Sequence, residues 1–243
     1  MSHLDHTRIA RALAAGTLVA DRVFDEVFPL ALRSASNVYW TPVEVAVRAA
    51  RHLAPEGHRN IVDIGAGVGK FCIVAAATVD AEVHGIEHRP HLVNIARAAA
   101  SKVGVRPSFD HGQSIDELDA SSIDGIYMFN PFAENLCPAA DQLDATVELS
   151  AERFWKDLDA TVRLLERARA GTRVATYCGF GGKMPEGFAL VSRERVGGTL
   201  ELWEKRVEPE SGAGVAQPPR ASTSRANAST RDAKRRGTSI CGE

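Results

Sequence analysis

The chain has 243 residues, 44% of them hydrophobic and 25% charged, close to the average globular profile, which excludes a wholly disordered, collagenous or coiled-coil chain. The formal charge of −2 is a sum of two unlike parts: residues 211–243 carry six basic side chains (Arg220, Arg225, Arg231, Lys234, Arg235, Arg236) against two acidic ones (Asp232, Glu243), or +4, which leaves −6 for residues 1–210. The body therefore lacks the basic field with which a protein grips a phosphate backbone. Cys72, Cys137, Cys178 and Cys241 are scattered without a C-x-x-C pair or a histidine at metal spacing, so neither a disulfide framework nor a metal site is expected. No stretch reaches the roughly 18 apolar residues that a membrane helix needs, and Asp5, His6, Arg8 and Arg11 stand where a signal peptide would place its apolar core. A cytoplasmic location away from membranes is the expectation.

In chain order, helical segments are expected at roughly 5–15 and 17–33, forming an N-terminal segment over residues 1–37. A further helix starts near Pro42 and runs to about residue 53, with Thr41 and Glu44 in capping-box spacing and Pro42 at the first helical position. From there β-rich runs alternate with helical ones, the pattern of a largely parallel sheet covered on both faces. Strands are expected at Asn60–Ile64, Glu82–Glu87, Ser108–His111, Gly125–Asn130, Thr172–Cys178, Phe188–Arg195 and Thr199–Arg206, with helices near 69–78, 90–103 and 150–169. Only Val196, Gly197 and Gly198 separate the last two strands, too few for a crossover, so that pair is an antiparallel hairpin. The expected fold is thus a doubly wound, Rossmann-like α/β sheet of seven strands over residues 38–207. Beyond Glu208 the composition of Pro, Gly, Ser, Thr and Arg cannot repay the entropy of ordering, and residues 208–243 read as a disordered basic tail.

Chemistry concentrates at Asp63-Ile64-Gly65-Ala66-Gly67-Val68-Gly69-Lys70-Phe71, where an apolar strand feeds a glycine-dense turn and then a small-residue helix. Glycines let the backbone turn tightly and let a ligand lie against main-chain N–H groups. A triphosphate-binding P-loop fails on two counts, Ile64 where its first glycine belongs and Phe71 where its Ser or Thr belongs. A dinucleotide loop beginning at Gly65 would place its third glycine at 70, where Lys70 stands; an oxidoreductase using a nicotinamide cofactor remains the rival enzyme class.

The spacing D-x-G-x-G-x-G, followed by Glu87 at the end of the next strand, resembles the class I S-adenosylmethionine-dependent methyltransferases. The resemblance covers roughly residues 38–206, and the terminal hairpin is a second part of it. It implies that Gly65, Ala66, Gly67 and Gly69 pack under the methionine part of S-adenosylmethionine, that Asp63 faces its ammonium end, and that Glu87 holds both ribose hydroxyls. A carboxylate suits a vicinal diol by offering two acceptor oxygens, and this cofactor carries no phosphate to repel it. The resemblance also places His88 against adenine and gives Gln113, where the family usually has an acid, the contact with the adenine amino group; Asp110 and Asp116 are alternatives.

The fourth strand ends in Phe129-Asn130-Pro131-Phe132-Ala133-Glu134. This resembles, one proline short, the Asn/Asp-Pro-Pro-aromatic motif of amino-group methyltransferases. It implies that Asn130 and Pro131 supply acceptors and a rigid turn, with Asn130 also on the cofactor side, and that Phe132 is an aromatic wall. Glu134 is the nearest acid for attracting an amine or taking its proton. Tyr39 and Trp40 are either a lid or a hydrophobic staple. The stretch Glu134–Leu149, with Asp141, Asp144 and Glu148, lies where the fold commonly covers its substrate, and its acidity suits a basic partner. The expected activity is methyl transfer to a nitrogen acceptor, a small amine or a protein side chain, in preference to nucleic acid. A cofactor-binding scaffold without chemistry is the non-enzymatic alternative.

Overall fold

A computed structural model describes residues 6–138 and 147–207. Met1–Val207 forms one compact unit; the residues 208–243 expected to form a tail, and Asp141 and Asp144 of the expected cover, lie outside the described residues. Seven strands, β1 (Arg59–Ile64), β2 (Ala81–Glu87), β3 (Ser108–His111), β4 (Gly125–Phe129), β5 (Arg173–Tyr177), β6 (Phe188–Val196) and β7 (Gly198–Lys205), make one sheet in the order β3-β2-β1-β4-β5-β7-β6. Every expected strand is present, with ends shifted by one residue at most.

The first five strands are parallel, and β7 runs antiparallel to both β5 and β6. The reversed strand therefore sits inside the sheet, and β6 becomes the edge. Gly198 makes the hairpin possible: a Cβ there would stand 2.6 Å from Cys178 Sγ and 2.8 Å from the Tyr177 ring. Charged side chains at Arg193, Glu194 and Arg195 keep the outer strand soluble, a common way of blunting a sheet edge.

Two apolar layers flank the sheet, and strand alternation sorts side chains between them. In β1, Ile61 joins the layer built with α4 (Val43–Leu53), α5 (Lys70–Thr78) and α6 (Pro90–Val103), whereas Val62 and Ile64 join the layer built with α7 (Ala151–Arg167). Asp63 shares the face of Ile61, where it meets Cys72 of α5. Burying a carboxyl in the sheet's centre, at the C-terminal end of the first strand, has no packing value, and it marks the end of the sheet where ligands bind in such folds.

The N-terminal part departs from expectation. Residues 17–33 do not form one helix: after α1 (Thr7–Ala14) come α2 (Asp21–Phe24), 3₁₀ turns at Asp25–Val27 and Leu30–Ala35, and α3 (Ser36–Tyr39). Pro29 is the physical reason, since it forces Phe28 into an extended conformation (ψ 157) and has no N–H to continue a helix. The capping box does not form either. Pro42 is the N-cap of α4, the Val43 N–H donates to Asp21 Oδ1 at 2.9 Å, and the Thr41 hydroxyl pairs with the Tyr127 hydroxyl at 2.9 Å. A residue twenty-two positions upstream thus caps α4, a partner that local spacing could not reveal. Glu44 instead pairs with Arg48 at 2.7 Å.

Candidate active site

The loop after β1 turns through three left-handed glycines, Gly65 (φ 78), Gly67 (φ 56) and Gly69 (φ 78), a conformation costly for other residues. Their surroundings divide them. A Cβ on Gly65 would meet Pro131 Cβ at 2.7 Å, and one on Gly69 would meet the Phe109 ring at 2.7 Å and Ala96 Cβ at 2.8 Å, whereas nothing lies within 4 Å of a Cβ on Gly67. Gly65 and Gly69 are glycines because neighbouring elements press on them. Gly67 faces open space, and its N–H donates to Glu87 Oε2 at 2.9 Å.

A small cavity of about 40 Å³ lies against this loop, lined among others by Tyr39, Trp40, Asp63, Gly67, Lys70 and Phe129. Burial pushes the Asp63 carboxyl up from an ordinary 3.8 to about 7; the Cys72 thiol, donating at 3.2 Å, opposes the rise, and the nearby charge of Glu87 adds to it. Lys70, only 2% exposed, opens α5 and reaches Asp21 Oδ1 at 2.6 Å and Asp25 Oδ1 at 2.7 Å. Its ammonium also lies 5.7 Å from the Phe24 ring centre and 6.0 Å from that of Trp40. The N-terminal segment is thereby pinned to the glycine loop, and Trp40, packed on Phe28 with ring centres 4.7 Å apart, is buried beside the cavity.

At the end of β2 the second acid is differently placed. Glu87 Oε1 accepts from the Arg89 N–H at 3.0 Å and from Arg89 Nε at 2.9 Å, and Oε2 accepts from Gly67 N–H and from Arg89 Nη2 at 3.3 Å. Burial works to raise this carboxyl, but the charge and hydrogen bonds of Arg89 hold it below its ordinary range. Arg89 is itself buried, and its Nη1 reaches Glu134 Oε2 at 2.6 Å. One guanidinium therefore joins the acid that ends β2 to the turn that follows β4.

That turn begins at Asn130, whose backbone is left-handed (φ 39) and whose N–H donates to Gly179 O at 3.0 Å. Pro131 lies against Gly65, which brings the turn beside the glycine loop. Phe132 does not form an open wall: it is buried in the layer of Met128, Phe154 and Phe180, since its apolar ring gains more from packing there than from exposure at the turn. Phe129, half-buried, stands on the cavity wall in its place. Glu134 is engaged by Arg89. Gln113 Oε1 meets His84 Nε2 at 3.2 Å, which turns it toward the outer strands, and His88 Nδ1 lies 3.5 Å from Glu87 Oε1. Asp63, Gly65, Ala66, Gly67 and Glu87 thus converge, joined by Asn130 and Pro131. Sequence reading missed Arg89 and Lys70. The run Glu87-His88-Arg89 carried a signal, an arginine within reach of the acid, whereas the partners of Lys70 lie some forty-five residues away in a segment without a motif.

Residues 61–151 match the family model described as a methyltransferase domain. Ajmaline N-methyltransferase of Rauvolfia serpentina is 37% identical over 60 residues, which are 24% of this chain and 21% of that protein, so the chain spans about a fifth of the curated relative it matches. Among solved structures, an RNA methyltransferase from Salinibacter ruber in complex with S-adenosylhomocysteine is 26% identical, covering 70% of this chain and 97% of that one, with a TM-score of 0.49. A putative class I S-adenosylmethionine-dependent methyltransferase from Listeria monocytogenes, 11% identical, covers 84% of this chain and 82% of its own, with a TM-score of 0.52. Residues 61–151 thus carry a methyltransferase domain, and the seven-strand order with its reversed β7 is the fold shared with the class I S-adenosylmethionine-dependent methyltransferases.

Proposed function

We propose that the chain transfers the methyl group of S-adenosylmethionine to a nitrogen acceptor, an amine or a protein side chain. The observation that carries the cofactor side of this reading is the convergence of the Gly67 N–H, the Glu87 carboxylate and the Asp63 carboxyl at the C-terminal ends of β1 and β2. These groups fit the cofactor. A buried carboxyl at about 7, contacted by a weak thiol donor, gains most from a cation, and the ligand's ammonium is one. The glycine loop leaves space only over Gly67, where a ligand can approach the main chain. Glu87 offers acceptors to a diol once the guanidinium yields them. The dinucleotide alternative is disfavoured by Lys70, whose ammonium is committed to Asp21 and Asp25 at the position of the third glycine.

When bound, the cofactor supplies an activated methyl group on a sulfonium centre, so little covalent help is asked of the protein. The chain's own residues have to orient the acceptor and keep its nitrogen lone pair free. Asn130, fixed by Gly179 at the switch point of the sheet, and Pro131, fixed against Gly65, present a rigid turn beside the glycine loop. The rings of Phe129 and Tyr39 line the cavity against that loop, which suits an uncharged amine. The acidic balance of residues 1–210 supports a basic acceptor, and the match to an N-methyltransferase over 60 residues points the same way. Incubation of the full chain with radiolabelled methyl donor and cell lysate, separated into protein, nucleic-acid and small-molecule fractions, tests this reading. Label in protein or small amines is expected; label in nucleic acid alone overturns the acceptor class, and label nowhere overturns the activity.

A further inference from the structure

The guanidinium of Arg89 enters the reading above only as a group that must yield Glu87, yet it holds two buried carboxylates at once, Glu87 and Glu134. A carboxylate has about four lone-pair positions, and Glu87 has all four occupied: two by main-chain N–H groups, of Gly67 and Arg89, and two by the Nε and Nη2 of Arg89. A ribose diol brings two hydroxyl donors. The main-chain donors are fixed by the glycine loop and by the start of α6, so the two guanidinium bonds are the ones that can be exchanged for the two hydroxyl bonds, donor for donor. The displaced guanidinium keeps a second anchor, since its Nη1 already holds Glu134 at 2.6 Å, with both side chains about nine-tenths buried.

We propose, on the basis of the cofactor assignment above, that Arg89 is a positioning residue that couples cofactor binding to the acceptor turn: the ribose diol takes Glu87 from the guanidinium, which then pairs with Glu134 alone. Before the exchange one cation is shared by two carboxylates. After it, the guanidinium serves Glu134 and no longer Glu87, in partly buried surroundings where such a pair is stronger than at the surface. Glu134 lies four residues past Asn130, in the 3₁₀ turn Ala133–Leu136. Tightening that pair fixes the turn that faces the acceptor, and it does so only when the cofactor is present. By reciprocity, whatever stabilises the turn on Glu134 also draws the arginine from Glu87 and favours the cofactor.

A double-mutant cycle read by calorimetric titration with S-adenosylhomocysteine, on the full chain, tests the coupling. Glu134→Gln removes the second anchor and leaves Arg89 wholly on Glu87, so binding weakens roughly five- to tenfold, within the usual range for coupling between two sites, although Glu134 is not placed against the cofactor. In an Arg89→Met background the same Glu134→Gln change has no further effect. Hydrogen exchange gives a second readout: S-adenosylhomocysteine protects the amides of Asn130 and of residues 132–137 in the wild type and not in Arg89→Met, whose fold is checked by circular dichroism. If Arg89→Met does not fold, Arg89→Gln replaces it in the same cycle. Unchanged affinity in Glu134→Gln, an equal loss in both backgrounds, or protection that survives without Arg89 overturns the coupling while leaving the cofactor assignment in place. Failure of the wild type to bind overturns the cofactor assignment and the coupling with it.

Discussion

Two buried acids stand at neighbouring strand ends of this sheet, and the fold treats them in opposite ways. At the end of β1, Asp63 has a thiol partner and, among the described residues, no cation, and burial drives its carboxyl to about 7; the cation of that region, Lys70, is turned toward Asp21 and Asp25 instead. At the end of β2, Glu87 has a guanidinium on both oxygens and is held ionised. The difference separates two tasks. An acid without a counter-charge is prepared to receive one from a ligand, whereas an acid that brings its own must exchange it for neutral donors. A cofactor with an ammonium at one end and an uncharged diol further along matches that division.

The contrast can be broken most forcefully at Lys70. Lys70→Met leaves Asp25 buried with no cation and frees the N-terminal segment from the glycine loop. The expected loss is about 3 to 4 kcal/mol, toward the lower end for breaking a buried pair because Asp21 is half exposed. Urea unfolding reads it directly, and a loss below about 1 kcal/mol would mean that the cluster holds nothing together.

A second effect separates the two acids by pH. The fold keeps on Asp63 a proton that the unfolded chain releases above its ordinary value, so the stability this group contributes is full below about pH 4, falls as pH rises to about 7, and stays lost beyond. Between pH 5 and 8 the wild type should lose roughly 3 kcal/mol relative to Asp63→Asn. Glu87, with its value lowered, contributes in the opposite sense: its stability is present above the ordinary glutamate range and is lost as pH falls through its lowered value. Parallel unfolding curves for wild type and Asp63→Asn across that range would remove the distinction between the two sites. The same titration governs binding, since the charged carboxylate is what pairs with an ammonium. Affinity for S-adenosylhomocysteine should weaken up to about tenfold for each unit below pH 7 in the wild type, and stay flat in Asp63→Asn.

The smallest expected effect divides the glycines themselves. Gly65→Ala forces a Cβ to 2.7 Å from Pro131 in a left-handed backbone, and about 2 kcal/mol of stability should go with it. Gly67→Ala meets only the backbone strain, about 1 kcal/mol, and should show its larger loss in ligand affinity. Thermal unfolding and calorimetry on both variants separate the two roles; equal stability losses would contradict the division.

Much of this was legible in the sequence because it depends on short-range rules. The apolar run before the glycines placed β1 with Asp63 next to its end, the glycine spacing fixed the turn, and the three-residue link at Gly197 forced the hairpin. The unread parts come from contacts between distant residues. Asp21 caps α4 across twenty-two positions and holds Lys70 across forty-nine, and Pro29 breaks the helix expected over 17–33. Phe132 looked like a wall because motif reading counts residues, whereas its side chain packs with Phe154 and Leu158 of α7, contacts that spacing does not reveal. Arg89 was hidden for a simpler reason: the acid two residues earlier had been assigned a ligand, and a carboxylate with a protein cation already on it leaves no mark in spacing.

Calorimetric titration of the full chain with S-adenosylhomocysteine, wild type beside Glu87→Ala, tests the central assignment most directly. The site described here predicts one-to-one binding by the wild type and a loss of about a hundredfold or more in the variant, the size of two charge-assisted hydrogen bonds at about 1.5 to 3 kcal/mol each. No binding by the wild type, or equal binding by a folded Glu87→Ala, would contradict it.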